Sequence, residues 1–188
     1  MKFKGRYRIE FARLRSWDYA SPGWYFVTIC TKNKRTFFGR IDQETSILNE
    51  LGQAVFQYWS EIPHHHHHTT IDEFIVMPNH IHGIIIIVEV LDTKTSHNVE
   101  TLHATSLRLS KMSSISPVKG SLGVIVRSFK SAVSRWARKN DYPTFAWQPR
   151  FHDHIIRDED SLARIRTYIQ NNLQRWEVDR YFRCHFMD

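Results

Sequence analysis

The pattern of hydrophobic and polar positions along the chain predicts alternating strands and helices. Residues 24–31 are rich in β-branched and aromatic side chains and follow a Ser-Pro-Gly turn signal, which is typical of a buried strand. Two further strands, at 71–77 and 81–90, are separated by a short connection through Pro78 and Asn79 and therefore predict a hairpin. Apolar residues at helical spacing predict helices at 48–59, 121–139 and 158–172. Residues 145–157 are predicted to be extended chain.

The order of these elements predicts the fold class. Strand, helix, strand, strand, helix, strand is the βαββαβ pattern of the ferredoxin-like α+β sandwich, which has an antiparallel sheet, and here a C-terminal helix follows it. A length of 188 residues is that of one domain, predicted to cover residues 1–188. Within this domain, residues 1–20 predict a basic N-terminal arm, and the polar, Ser/Thr-rich residues 91–120 predict a mobile insertion.

Charge is distributed unevenly along this pattern. The formal net charge is +7, with +8 in residues 1–40, −8 in 41–100 and +8 in 101–140. Two basic blocks around an acidic one predict positive surface patches, as expected of a protein that holds a phosphate backbone. The helix at 121–139 has a basic face that includes Arg127, Lys130 and Arg135 and is a candidate backbone-binding surface.

Other composition features narrow the class of protein. No apolar run approaches the roughly 20 residues that cross a bilayer, so no membrane association is expected and the predicted location is cytoplasmic. Cys30 and Cys184 are too few for a disulfide framework or a thiolate zinc site. Any metal ion would therefore need His, carboxylate or amide ligands.

Candidate chemistry lies at two places in the predicted fold. His80 and His82 are two residues apart on a strand, so both imidazoles project to the same side of the sheet. Tyr168 and Asn172 are four residues apart on the last predicted helix and share one face. Two His nitrogens and the Asn172 amide oxygen would leave positions open on Mg²⁺ or Mn²⁺ for a phosphate oxygen. Tyr168 would then be the nucleophile of a covalent phosphotyrosyl reaction.

The run His64 to His68 is a weaker metal candidate. It follows Pro63 between a helix and a strand, which predicts a loop. Consecutive histidines bind nickel or zinc adventitiously, so we expect no physiological metal role for this run.

Several short motifs together resemble a known family. They are Tyr25-Phe-Val-Thr-Ile-Cys-Thr31, Met77-Pro-Asn-His-Ile-His-Gly83, Ser128-Phe-Lys-Ser131, Trp147-Gln-Pro-Arg-Phe151, His154-Ile-Ile-Arg157 and Tyr168-Ile-Gln-Asn-Asn172. In this order they resemble the IS200-like transposases, and most of all the branch of REP-associated tyrosine transposases. The resemblance extends over residues 19–176, apart from the polar insertion. Proteins of this family are single-tyrosine HUH endonucleases, named for a His-hydrophobic-His triplet.

The resemblance implies an activity and a role for each matched residue. It implies a metal-dependent enzyme that cuts and rejoins single-stranded DNA at hairpins, working as a monomer or a homodimer. His80, His82 and Asn172 would hold the metal ion, and Tyr168 would take the 5′-phosphate. Many relatives have Asn-Pro after the tyrosine helix where this chain has Asn172-Leu173, which changes how that helix ends.

Two questions stay open at the level of sequence. Beside the basic helix, Arg150 and Arg157 are candidates for DNA contact, since both lie in motifs of the resemblance. The alternatives to a transposase are a catalytically silent nucleic-acid-binding module of the same fold and a metal-dependent phosphoesterase in which water attacks.

Overall fold

The computed structural model of the protein describes residues 2–3, 6–7, 14, 16–89 and 118–176. Two short strands, β1 (Lys2–Phe3) and β2 (Arg6–Tyr7), pair with each other. The other strands are β3 (Gly23–Cys30), β4 (Gly39–Asp42), β5 (Thr45–Leu48), β6 (Thr69–Met77), β7 (His80–Ile87) and β8 (His152–Ile156). The helices are α1 (Glu50–Ser60), α2 (Ile62–His65), α3 (Leu122–Lys139) and α4 (Glu159–Gln170).

The main sheet has four antiparallel strands in the order β6-β7-β3-β8. The first strand of the βαββαβ unit, β3, therefore lies between β7 and β8 in the centre of the sheet. This arrangement confirms the predicted α+β class. Strand side chains alternate between the two faces, and both faces of the sheet are covered.

One face carries Tyr25, Val27 and Ile29 and packs against α1 and α3 in the larger hydrophobic core. The opposite face carries Phe26 and Ile84 and packs against α4 through Leu162 and Ile169. We call this second face the histidine face, because His80 and His82 alternate with Ile81, which is buried in the larger core.

Local sequence explains where two of the helices begin. The side chain of Asn49 caps α1 by accepting a hydrogen bond from the backbone nitrogen of Gly52 at 2.9 Å. Asp158 caps α4 in the same way, accepting from the backbone nitrogen of Ser161 at 2.6 Å. Glu159 and Asp160 follow in the first turn of α4, where the helix dipole favours acidic side chains.

The structure corrects several predicted boundaries. The hairpin of β4 and β5 has no counterpart in the predicted elements, and it takes Leu48 out of the first helix. The last helix ends at Gln170, so Asn172 lies in the turns that follow it. Half of the predicted arm at 1–20, and residues 91–117 of the predicted insertion, lie outside the described residues.

The histidine run is a loop only in its second part, at His66 to His68, whereas its position predicted a loop throughout. Pro63 lies in the first turn of the short helix α2, which includes His64 and His65. Farther along the run, the His68 ring nitrogen Nε2 lies 2.9 Å from the Gly120 carbonyl oxygen. This contact ties the start of β6 to the segment that precedes α3.

Among the described residues, no helix is long and apolar enough to cross a membrane.

Gly83 allows α1 to approach the sheet closely. A Cβ atom at this position would clash with the ring of Trp59 on α1 and would lie 2.8 Å from Cβ of Phe74. We expect Gly83→Ala to lower the free energy of unfolding by about 1–3 kcal/mol, because neither the ring nor the neighbouring strand can move aside freely. Urea denaturation measures this change.

Gly23→Ala is the matched control for Gly83→Ala. Its added Cβ would make only an ordinary contact of 3.4 Å with the Tyr25 hydroxyl. We expect its effect to stay within about 1 kcal/mol. Equal urea midpoints for the two variants would contradict the close approach of Trp59 to Gly83.

Candidate functional site

His80 and His82 lie side by side on the histidine face. Their ring centroids are 4.5 Å apart and the rings are inclined by 72°. Strand pairing places Cys30 of β3 opposite His80 and Thr28 opposite His82. The two imidazoles therefore form a pair beside the central strand of the sheet, as their spacing predicted.

His82 is buried and has contacts at both ring nitrogens. Its Nδ1 lies 2.8 Å from Oγ1 of Thr28, and its Nε2 lies 3.2 Å from the hydroxyl of Tyr168. The ring also stacks on Phe26 at a centroid distance of 5.4 Å. Burial, followed by the neighbouring rings of His80 and His152, lowers the pKa of His82 well below 6.5. His82 is consequently a neutral imidazole at neutral pH.

His80 is also held as a neutral ring. Burial lowers its pKa to about 4, and the positive charge of Lys34 adds to this effect. Its Nδ1 lies 2.6 Å from Oδ1 of Asn79, and its ring is stacked with Trp176 at a centroid distance of 6.3 Å. Neutral imidazoles are the form in which histidine binds metal ions.

Tyr168 reaches this pair from α4. The same helix is attached to the edge strand β6, because Nε and Nη2 of Arg166 donate to Oδ2 of Asp72 at 3.0 and 2.7 Å. Gln170 Nε2 also donates to Oε1 of Glu73 at 3.2 Å. These contacts and the apolar packing of Ile169 fix α4 on the sheet of its own chain.

Asn172 is fully buried two residues after the end of α4. Neither Oδ1 nor Nδ2 of its side chain has a hydrogen-bond partner among the described residues. Burying an unsatisfied amide costs about 1–3 kcal/mol, so such a group calls for a water or an ion as its partner. In the chain, Asn172 lies between Tyr168, which contacts His82, and Trp176, which contacts His80.

The residues predicted as metal ligands offer only neutral donors. The described residues contain no cluster of three His, Cys, Asp or Glu side chains arranged to hold a metal. Two neutral imidazoles and the buried amide oxygen of Asn172 nevertheless supply three neutral donors. In the tautomer of His82 with its hydrogen on Nδ1, Nε2 has one electron pair, so binding a cation and accepting the Tyr168 hydrogen bond exclude each other at that atom.

The candidate DNA-binding residues do not lie together. Arg127 and Arg135 are exposed on α3, which covers the opposite face of the sheet from the histidines. Lys130 of the same helix donates to the Gln148 carbonyl oxygen at 2.6 Å, and burial lowers its pKa. The Lys130 ammonium therefore binds the segment around Trp147. Its Nζ lies 5.9 Å from the centroid of the Trp147 ring.

The two remaining arginines border β8. Arg150 is exposed two residues before this strand and Arg157 is exposed just after it. Arg157 lines a cleft of about 350 Å³ together with Tyr19, His154 and Ser161.

Sequence reasoning did not identify Thr28, Asn79, Lys34 or Trp176 as site residues. The alternation of side chains along β3 indicates which face of the sheet carries Thr28. Only the strand register shows that Thr28 lies opposite His82. Asn79 directly precedes His80 in the chain and was interpreted only as part of a turn. No sequence pattern indicates that Lys34 and Trp176 lie next to His80.

The fold and this site define a class of protein: a ferredoxin-like α+β domain with a histidine pair on one sheet face and a tyrosine placed against it by a C-terminal helix. No protein-family model matches the chain. It is 44% identical over 173 residues to an uncharacterized protein of Haemophilus influenzae, covering 90% of this chain and 91% of that protein. The chain therefore belongs to the family of this Haemophilus influenzae protein.

One solved structure extends the comparison of the fold. A REP-associated tyrosine transposase bound to a REP hairpin superposes with a TM-score of 0.53 at 16% identity, over 88% of this chain and 74% of that one. The fold of this chain thus resembles that of a tyrosine transposase.

Proposed function

We propose that the protein is a divalent-metal-dependent endonuclease and transposase that cuts and rejoins single-stranded DNA beside hairpins. The observation that carries this proposal is the hydroxyl of Tyr168, 3.2 Å from Nε2 of His82 and next to His80. This contact places a potential nucleophile beside the proposed metal ligands. The fold similarity to a hairpin-bound tyrosine transposase and the net charge of +7 support the choice of DNA as substrate.

The proposed reaction is a transesterification. Oη of Tyr168 attacks the scissile phosphorus and releases its proton to solvent water, while the bond from phosphorus to the 3′-oxygen breaks. The departing 3′-oxygen takes up a proton and becomes a 3′-hydroxyl, and Tyr168 keeps the 5′-phosphate. A 3′-hydroxyl on another DNA end reverses the same step, so joining needs no external energy source.

His80, His82 and Asn172 are the proposed ligands of Mg²⁺ or Mn²⁺. When bound, the ion would polarise the phosphodiester and neutralise charge that develops on its oxygens. The chain's own contribution is to keep both imidazoles neutral and to fix the position of the tyrosine. Thr28 and Asn79 hold the two rings through Nδ1, so that Nε2 of each is directed away from these partners.

Charged residues around the site are the proposed DNA contacts. Lys34 is close enough to His80 to influence its pKa, and Arg150 and Arg157 border β8. Arg127, Lys130 and Arg135 lie on the helix behind the sheet, so we propose that they contact only DNA that passes around the domain.

The test uses a labelled single-stranded oligonucleotide with a hairpin, incubated with the protein and Mn²⁺ and run on a denaturing gel. We expect a labelled protein–DNA adduct together with a shortened strand. Cleavage without an adduct would instead indicate attack by water, as in a phosphoesterase. Binding without cleavage, across a panel of hairpins, would indicate a silent nucleic-acid-binding module.

A further inference from the structure

Asn79 connects His80 to the turn at residues 32–35, which we call the basic turn because it contains Lys32, Lys34 and Arg35. Asn79 is the second residue of the tight turn between β6 and β7, and its side-chain Nδ2 donates to the Lys34 carbonyl oxygen at 3.1 Å. The other end of the same amide, Oδ1, lies 2.6 Å from Nδ1 of His80. The backbone carbonyl of Asn79 accepts from the backbone nitrogen and the hydroxyl of Thr31 at 2.9 and 3.1 Å.

These contacts determine which nitrogen of His80 carries the hydrogen. The carbonyl oxygen of Lys34 can only accept, so the amide nitrogen of Asn79 must face it and Oδ1 must face His80. An amide oxygen also only accepts, so Nδ1 of His80 must be the donor. A neutral imidazole has one N–H, which leaves the electron pair on Nε2.

We propose that Asn79 is a positioning residue, which holds His80 in the Nδ1–H tautomer and makes its Nε2 available as a metal ligand. This inference rests on the proposed function, since it gives His80 the role of ligand. Both ends of the Asn79 amide are hydrogen-bonded, so the amide is held with its oxygen toward His80. An Asn side chain that rotated freely could present either end, and the His80 ring could then adopt either tautomer.

The same amide fixes the shape of the basic turn. Asn33 and Lys34 have φ angles of 57° and 54°, a left-handed conformation that is uncommon in residues other than glycine and Asn, so Lys34 needs contacts that hold it there. The hydrogen bond from Asn79 to Lys34 is one such contact. Asn79 therefore has two separable effects, one on the His80 ring and one on the turn.

Two substitutions separate these effects. Asn79→Ala removes both hydrogen bonds, whereas Asn79→Asp keeps an acceptor for His80 but loses the donor to Lys34. The tautomer is read from long-range ¹H–¹⁵N spectra of histidine-labelled protein at pH 8, with the His80 signals identified by their loss in His80→Ala. We expect Nδ1–H in the wild type and in Asn79→Asp, and a mixture of tautomers in Asn79→Ala. An unchanged tautomer in Asn79→Ala, or Nε2–H in the wild type, would overturn the inference.

Affinity for Mn²⁺ alone, measured from the signal of the free ion in electron paramagnetic resonance, is the second measurement. Loss of a partner that orients a metal-binding histidine typically weakens binding 10–100-fold, so we expect about this loss for Asn79→Ala. Asn79→Asp should bind nearly as well as the wild type. A wild-type protein that binds no Mn²⁺ would remove the ligand role of His80 and the inference with it.

Asn140→Ala is the matched control. Its amide also donates to a backbone carbonyl, that of Trp136 at 2.8 Å, but at the end of α3. We expect neither the His80 tautomer nor the Mn²⁺ affinity to change. The measurements also separate the two proposals: a wild type that binds Mn²⁺ in the expected tautomer but forms no DNA adduct contradicts the proposed function and leaves the role of Asn79 standing.

Discussion

Tyr168→Phe should abolish the protein–DNA adduct and reduce cleavage of the hairpin oligonucleotide by more than about a thousandfold. The substitution removes one oxygen atom, the proposed nucleophile, and keeps the ring that meets Phe26 edge-on at 6.0 Å and His82 at 5.2 Å. Binding of the uncleaved oligonucleotide should therefore stay unchanged. Denaturing gels measure the first effect, and a filter-binding titration measures the second.

Tyr58→Phe is the control for loss of a tyrosine hydroxyl. Tyr58 lies on α1, which packs on the opposite face of the sheet from the histidines. Its adduct yield should equal that of the wild type. An adduct that persists in Tyr168→Phe would exclude this residue as the nucleophile, whereas loss of the adduct in both variants would indicate a general defect of the fold.

His80→Gln is expected to have the second largest effect, because it removes one proposed ligand while leaving a polar side chain in the space. Loss of an orienting partner alone costs 10–100-fold in metal affinity or activity, so loss of the ligand itself should lower cleavage in Mn²⁺ by at least about a hundredfold. Raising the Mn²⁺ concentration should restore part of the rate. Cleavage rates over a series of Mn²⁺ concentrations measure both effects.

The histidine run provides the control for His80→Gln. His67 is exposed in the turn before β6, at the end of the sheet where Thr69 pairs with Ile87 and away from the end where Met77 pairs with His80. His67→Ala should keep the wild-type rate and Mn²⁺ dependence. Full cleavage by His80→Gln at low Mn²⁺ would contradict the ligand role, and a defect in His67→Ala would assign a function to the run.

The sequence by itself was sufficient for local features. The alternation of side chains along β7 put His80 and His82 on one face, because a strand has a period of two whatever its neighbours are. Asp158 and the acidic residues after it marked the start of α4, because a helix cap depends on the nearest few residues. Element order then limited the topology to the ferredoxin-like class.

Some predicted boundaries of helices and loops were wrong, and the reasons are again physical. Leu48 fits the helical spacing of α1, yet it lies in β5, since pairing with β4 satisfies its backbone and Asn49 supplies the cap that begins the helix. His64 and His65 follow Pro63, which predicted a loop. A proline in the first turn of a helix costs no hydrogen bond, because the backbone nitrogens of that turn have no partner within the helix.

The tertiary structure alone decided how the site is assembled. The strand register places Thr28 opposite His82, and packing of α4 brings the Tyr168 hydroxyl to the same ring from 86 residues away in the chain. Packing also put the basic helix α3, the candidate backbone-binding surface, on the opposite face of the sheet from the histidines. Which strands pair and which face a helix covers depend on the complementary shapes of distant segments, and no local spacing in the sequence encodes them.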